Sequence, residues 1–189
     1  IVGISAISDT QIMGALSTAS QIRENLFNTK IILGGHAFEY RKTLLKKLCW
    51  LFNTVDAVCV SDGEPALVDL ASGKKLEEVC NIFWFDGTKV CEPYLLRVNN
   101  FTQSFQADFS VLKLENYLSP HIVIPIETSR GCHWNKCAFC NHPNRSLDRK
   151  EIYRLRSTNT IIREIKNHLR QGYKRFFFVY ESIPPHRLH

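Results

Sequence analysis

The chain has 189 residues, 44% of them apolar and 22% charged, which is enough for one large domain or two small ones with real cores. Its formal net charge of +6 and isoelectric point of about 9.0 are a moderate basic excess, and no run approaches the ~18 apolar residues of a membrane helix. Seven cysteines at irregular spacing argue against a disulfide framework and suit a reducing, cytoplasmic setting.

Residues 1–7 (IVGISAI) are short, apolar and β-branched, the signature of a buried strand. They lack the basic start and cleavage pattern of a signal peptide, and the chain opens without Met, as if cut inside a strand. Ser8, Asp9 and Thr10 come next as loop and N-cap. Ile12, Leu16, Ala19, Ile22 and Leu26 then recur at spacings of four and three, the stripe of an amphipathic helix. Residues 30–33 predict a second strand, closed by Gly34 and Gly35. A helix is expected over 39–51, with Leu44, Leu45, Leu48 and Leu51 apolar. Residues 55–60 predict a third strand, Asp62-Gly63-Glu64 a turn, and the segment to Ala71 a short helix. Residues 82–85 and 88–91, split by Asp86-Gly87, predict a hairpin.

Alternating strands and helices over 1–92 predict an α/β fold with a Rossmann-like parallel sheet. Ligands of such sheets sit beyond the carboxyl ends of the strands. Three polar loops fall at that edge. They hold Ser8 and Asp9, then Gly34, Gly35 and His36, then Asp62, Gly63 and Glu64. No G-x-G-x-x-G run occurs, so a dinucleotide is not expected.

Residues 93–120 have weak periodicity and read as a linker. A second unit, 121–189, opens with the apolar strand HIVIPIET. A helix is expected over 160–171, capped by Ser157 or Thr158, with Ile161, Ile162, Ile165 and Leu169 inward and Gly172 after its end. Residues 175–180 (RFFFVY) predict a further strand. Much of the basic excess lies between Arg145 and Arg175, which reads first as a solvated face.

Between strand and helix lies SRGCHWNKCAFC, which places Cys132, Cys137 and Cys140 in the spacing C-x4-C-x2-C. A short loop can aim several thiolates at one metal centre. Three cysteines on a 4Fe–4S cube leave one iron open for an exchangeable ligand. Zinc would need a fourth ligand, and His133 or His142 stands ready. Phe139 offers a flat apolar side chain beside such a centre. Trp134 either shields the centre or packs on the fold. Cys49, Cys59, Cys80 and Cys91 read as small core residues.

The run ETSRGCHWNKCAFC resembles the cluster loop of radical S-adenosylmethionine enzymes. Its longer first spacing looks like a cobalamin-associated branch of that superfamily. The order of units is similar to that branch, as are Gly34-Gly35 after one strand and SDGEPAL after the next. In the family that second signature is richer in glycine and acid than Ser61-Asp62. The closing FFFVYESIPPHRL resembles the family's second barrel strand and the loop after it.

The resemblance implies a cobalamin-type Rossmann-like domain, then the first strands of a TIM-like barrel. It also implies a 4Fe–4S cluster on Cys132, Cys137 and Cys140. S-adenosylmethionine on the open iron would be cleaved to methionine and a 5′-deoxyadenosyl radical. Phe139 and Glu181 would contact that cofactor, with the hard chemistry carried by the cofactor itself. Cobalamin would meet Ser8, Asp9, Gly34, Gly35, His36, Asp62, Gly63 and Glu64. An external electron donor and a small-molecule or peptide substrate are implied as partners, and methyl transfer as the reaction class that cobalamin would add.

Two departures bear on this. The family's D-x-H-x-x-G motif for a lower cobalt ligand is absent; His36, after Gly34-Gly35, is a candidate to replace it, but a lone loop histidine reads first as a surface residue. The barrel is also unfinished, so the chain reads as a fragment that does not turn over alone. Two other readings stand beside the enzyme. One is a zinc-stabilised module on Cys132, Cys137, Cys140 and His142 that uses its basic segment on nucleic acid. The other is an inactive remnant of the family. The first leaves the Rossmann-like half unexplained, so nucleic acid is not the expected partner.

Overall fold

The computed structural model describes residues 1–96, 106–134, 136–140 and 153–180. The chain divides into two compact units, Ile1–Val98 and Asn99–His189.

The first unit is a five-stranded sheet in the order β1-β2-β3-β4-β5, with β1 Val2–Ser5, β2 Ile31–Gly34, β3 Ala57–Cys59, β4 Ile82–Phe85 and β5 Val90–Cys91. β1, β2 and β3 are parallel, while β4 and β5 run antiparallel to their neighbours. This is the Rossmann-like α/β arrangement the alternation predicts, with the hairpin added at one side. Strand side chains alternate between faces, so β2, β3 and β4 feed two cores. Ile31, Leu33, Val58 and Phe83 pack on one face with Ala15 and Ala19 of helix α1, Ile12–Asn25. Ile32, Ala57, Cys59 and Ile82 pack on the other with Ala66 and Leu70 of helix α4, Gly63–Ala71. The alanines on α1 remove bulk and let that helix lie close to the sheet.

The amino ends of these strands are closed by a structural knot. Arg23 of α1 donates to Asp56 at 2.6 Å and to the Thr54 and Thr29 carbonyls at 3.1 and 3.2 Å. Asp56 also accepts the Ile31 amide at 2.8 Å.

The helix expected over 39–51 is instead three short pieces: α2 His36–Glu39, α3 Lys42–Leu45 and a 3-10 turn, Cys49–Asn53. The inward residues explain the break. Leu45, Leu48 and Leu51 reach the core at intervals of three, the period of a 3-10 turn, while Leu44 is exposed. Cys49 is exposed and Cys91 half-buried, against the expectation of core positions; Cys59 and Cys80 are buried.

In the second unit, β6 Ile124–Glu127 pairs in parallel with β9 Phe176–Val179, and helix α5 Thr158–Arg170 lies between them in sequence. Ser157 caps the helix, accepting the Thr160 amide at 3.2 Å. A small ladder, β7 Ser129–Arg130 with β8 Arg154–Leu155, has no counterpart in the sequence pattern. The inward face of α5 also differs. Ile161, Glu164 and His168 are buried, whereas Ile162 and Leu169 are exposed. Polar residues take the inward stripe because an arginine and three aromatic rings meet them there. Phe109, Tyr173 and Phe176 surround His168 at 5.6 to 6.5 Å, and Arg156 pairs with Glu164. Within 93–120, Tyr94 and Leu96 are bonded to the first unit, and Phe109 and Leu114 pack in the second. Among the described residues no helix is long and apolar enough to cross a membrane.

Candidate functional site

Because β1, β2 and β3 are parallel, their carboxyl ends emerge at one edge, and the three polar loops are brought together there. The first two are sewn to each other. Ser5 pairs with Gly34, the Ala6 amide donates to the Gly34 carbonyl at 2.9 Å, and the Ala37 amide donates to the Ala6 carbonyl at 3.0 Å. Gly35 makes this approach possible. It has φ +92°, and a Cβ there would lie 2.5 Å from the Ala6 carbonyl oxygen.

Asp9 is engaged rather than open. Arg41 donates to it at 2.6 Å, and the Tyr40 hydroxyl donates to its other oxygen. The Arg41 guanidinium, with the Tyr40 hydroxyl, holds the Asp9 carboxyl below the usual carboxylate range. His36 pairs with Glu39 at 3.2 Å. Ser8 shares a hydrogen bond with Thr10 at 2.8 Å and its amide donates to Gln11 at 3.2 Å.

Asp62 is buried and precedes α4, whose first turn carries Gly63 and Glu64. Its carbonyl accepts from Asn81 at 2.8 Å. Asn81, Tyr40 and Arg41 are not among the residues expected from sequence. Only the fold brings them to this edge, since none lies in a strand-end loop of the pattern.

The cysteine loop comes directly after β6 and β7. Gly131, at φ +83°, turns the chain into Cys132. Cys132, Cys137 and Cys140 are all half-buried, none of them in a disulfide, and the Cys140 amide donates to the Cys137 carbonyl at 3.1 Å. Among the described residues no three His, Cys, Asp or Glu side chains are gathered as a metal ion would require. The donors fit a cluster in kind and sequence spacing, and cysteine ligands give up their protons when they bind a metal. Phe139 is 91% exposed and Trp134 is 58% exposed, with the Lys136 ammonium 5.3 Å above its ring. Phe139 is therefore surface on the loop rather than core. Glu181 and His142 lie outside the described residues.

The structure of OxsB, a cobalamin-dependent S-adenosylmethionine radical enzyme with aqua-cobalamin and S-adenosylmethionine bound, superposes on 96% of this chain with a TM-score of 0.73 and 21% identity. The chain has the fold of cobalamin-dependent radical S-adenosylmethionine enzymes. It spans 25% of the length of OxsB. The radical S-adenosylmethionine methyltransferase TsrM from Kitasatospora setae, with tryptophan and a cofactor analogue bound, is also similar. It matches over 96% of this chain and 36% of its own, with a TM-score of 0.63 and 14% identity. An uncharacterized protein of Archaeoglobus fulgidus is 37% identical over a segment covering 34% of this chain and 13% of that protein. No protein-family model matches the chain. At these identities the likeness establishes the fold.

Proposed function

We propose that the chain is part of a radical S-adenosylmethionine enzyme with a cobalamin-binding unit. The observation that carries the reading is the C-x4-C-x2-C loop of Cys132, Cys137 and Cys140, set directly after the first strand of a parallel βαβ unit, in a chain with this fold. The βαβ unit is read as the opening of a barrel.

When bound, a 4Fe–4S cluster supplies the electron that cleaves S-adenosylmethionine, and cobalamin offers methyl transfer. The chain's own part is to hold and orient. Cys132, Cys137 and Cys140 would be the cluster's thiolate ligands, three rather than four, leaving a site for the amino and carboxylate groups of S-adenosylmethionine. Phe139, exposed beside Cys140, offers an apolar face to the adenine. Glu181 is proposed for the polar groups of the same ligand. At the sheet edge, Gly34, Gly35, Asp62 and Gly63 shape the backbone that cobalamin would meet, and Ser8, Asp9, His36 and Glu64 are the polar side chains there. Asp9 does so indirectly, by holding Tyr40 and Arg41. An external reductant and a small-molecule or peptide substrate complete the reading.

The test is iron, sulfide and zinc content after anaerobic reconstitution, with a visible spectrum of the same sample. About four irons per chain and a broad brown absorbance support the cluster. One tightly held zinc and no colour overturn it.

A further inference from the structure

We propose that the buried Arg156–Glu164 pair is a clamp that positions the chain leading into the cysteine loop. Its functional meaning rests on the cluster reading above; its geometry does not.

Arg156 and Glu164 are 2% and 4% exposed, and their side chains meet at 2.6 Å. Taking two charges out of water is costly, and an apolar pair of similar volume is often as stable. Stability is therefore a weak reason for the arginine. What a guanidinium adds is a second donor in fixed geometry. Here that donor meets the Glu127 carbonyl at 2.6 Å, at the end of β6. The Arg156 amide donates to the Thr128 carbonyl at 3.0 Å, and the β7–β8 ladder then pairs Ser129 with Leu155 and Arg130 with Arg154.

The linkage continues toward the first thiol. The Glu127 carboxylate accepts two bonds from the Arg130 guanidinium, at 2.8 and 3.2 Å. After Arg130 come Gly131, at its left-handed turn, and then Cys132. A continuous path of bonds thus runs from helix α5 through Arg156, Glu127 and Arg130 to the base of the loop. A ligand set works only when its supporting groups hold the first ligand in place. Arg156 and Glu164 are positioning residues in this sense, touching neither cluster nor substrate.

The test compares the chain with the double variant Arg156→Met/Glu164→Leu, which removes both members of the ion pair together and takes the carboxylate from His168, 3.9 Å away. Two readouts are taken: amide exchange at residues 128–131, and the electron paramagnetic resonance signal of the reduced cluster at matched iron content. We expect exchange at 128–131 to quicken about tenfold with α5 unchanged, and the cluster signal to alter. Ile161→Ala, a packing change in the same core, should lower the melting temperature without either effect. If the double variant fails to fold, Arg156→Lys carries the comparison, since it keeps a charge opposite Glu164 and drops the forked second donor. A folded variant with wild-type exchange and a wild-type signal overturns the clamp. Quickened exchange in a chain that takes up no iron sinks the cluster reading and leaves the clamp standing.

Discussion

Asn81 holds the Asp62 carbonyl at 2.8 Å and the Leu96 carbonyl at 2.6 Å through one side-chain nitrogen, and its side-chain oxygen accepts the Leu96 amide at 2.8 Å. The residue has no exposed surface and sits at φ 63°. It joins a loop at the carboxyl edge of the sheet to the segment leaving the first unit. Removing it strands the buried Asp62 carbonyl and leaves the partly buried Leu96 carbonyl and amide without this partner. Asn81→Ala should cost about 3 kcal/mol in urea unfolding. Asn81→Gly should cost about 1 kcal/mol less, because glycine accepts the left-handed backbone. Equal losses would show that the backbone conformation contributes nothing.

Gly35 and Gly14 should respond oppositely to alanine. At Gly35 the new Cβ meets the Ala6 carbonyl oxygen, and φ is +92°. Gly35→Ala should destabilise by about 3 kcal/mol and part the first two edge loops. Gly14 lies in α1 with nothing within 4 Å of its Cβ position. Gly14→Ala should stabilise by about 0.5–1 kcal/mol through helix propensity. Thermal melts of both variants check the pair.

Asp9 makes stability fall in acid. Its carboxyl is held down first by Arg41 and then by Tyr40. A carboxyl depressed in the folded state contributes stability above its unfolded value of about 3.9, lost as pH falls through the lower folded value. Asp86, held low by Thr88 and the Lys89 and Thr88 amides, acts in the same direction. Melting temperatures between about pH 2 and pH 7 should decline more gently at the acid end in Asp9→Asn than in the parent. Parallel curves would remove Asp9 from this role.

The seven cysteines should separate by chemistry. Burial pushes the Cys59 thiol up to about 11, so at pH ~8 it stays protonated and unreactive. Timed alkylation with mass spectrometry should label exposed Cys49 early and buried Cys59 late. Cys132→Ala, Cys137→Ala and Cys140→Ala should each abolish iron uptake, while Cys59→Ala leaves it intact. Equal damage from all four variants would count against the loop as the site.

The strands and their alternation with helices are legible in the order of residues alone, because apolar runs such as 31–33 and 57–59 can bury both faces only within a covered parallel sheet. The thiol loop is legible for a simpler reason: three cysteines so close along the chain need no fold to be neighbours. Long-range pairing belongs to the tertiary structure. Leu45, Leu48 and Leu51 form short turns because the core takes them every third residue. Glu164 and His168 turn inward on α5 because Arg156, Tyr173 and Phe176 fold back from just outside the helix and Phe109 arrives from far along the chain, offsetting the cost of burying them. Asn81 and Asp62 are nineteen residues apart. No local pattern encodes their bond, since it depends on the register of β3 against β4.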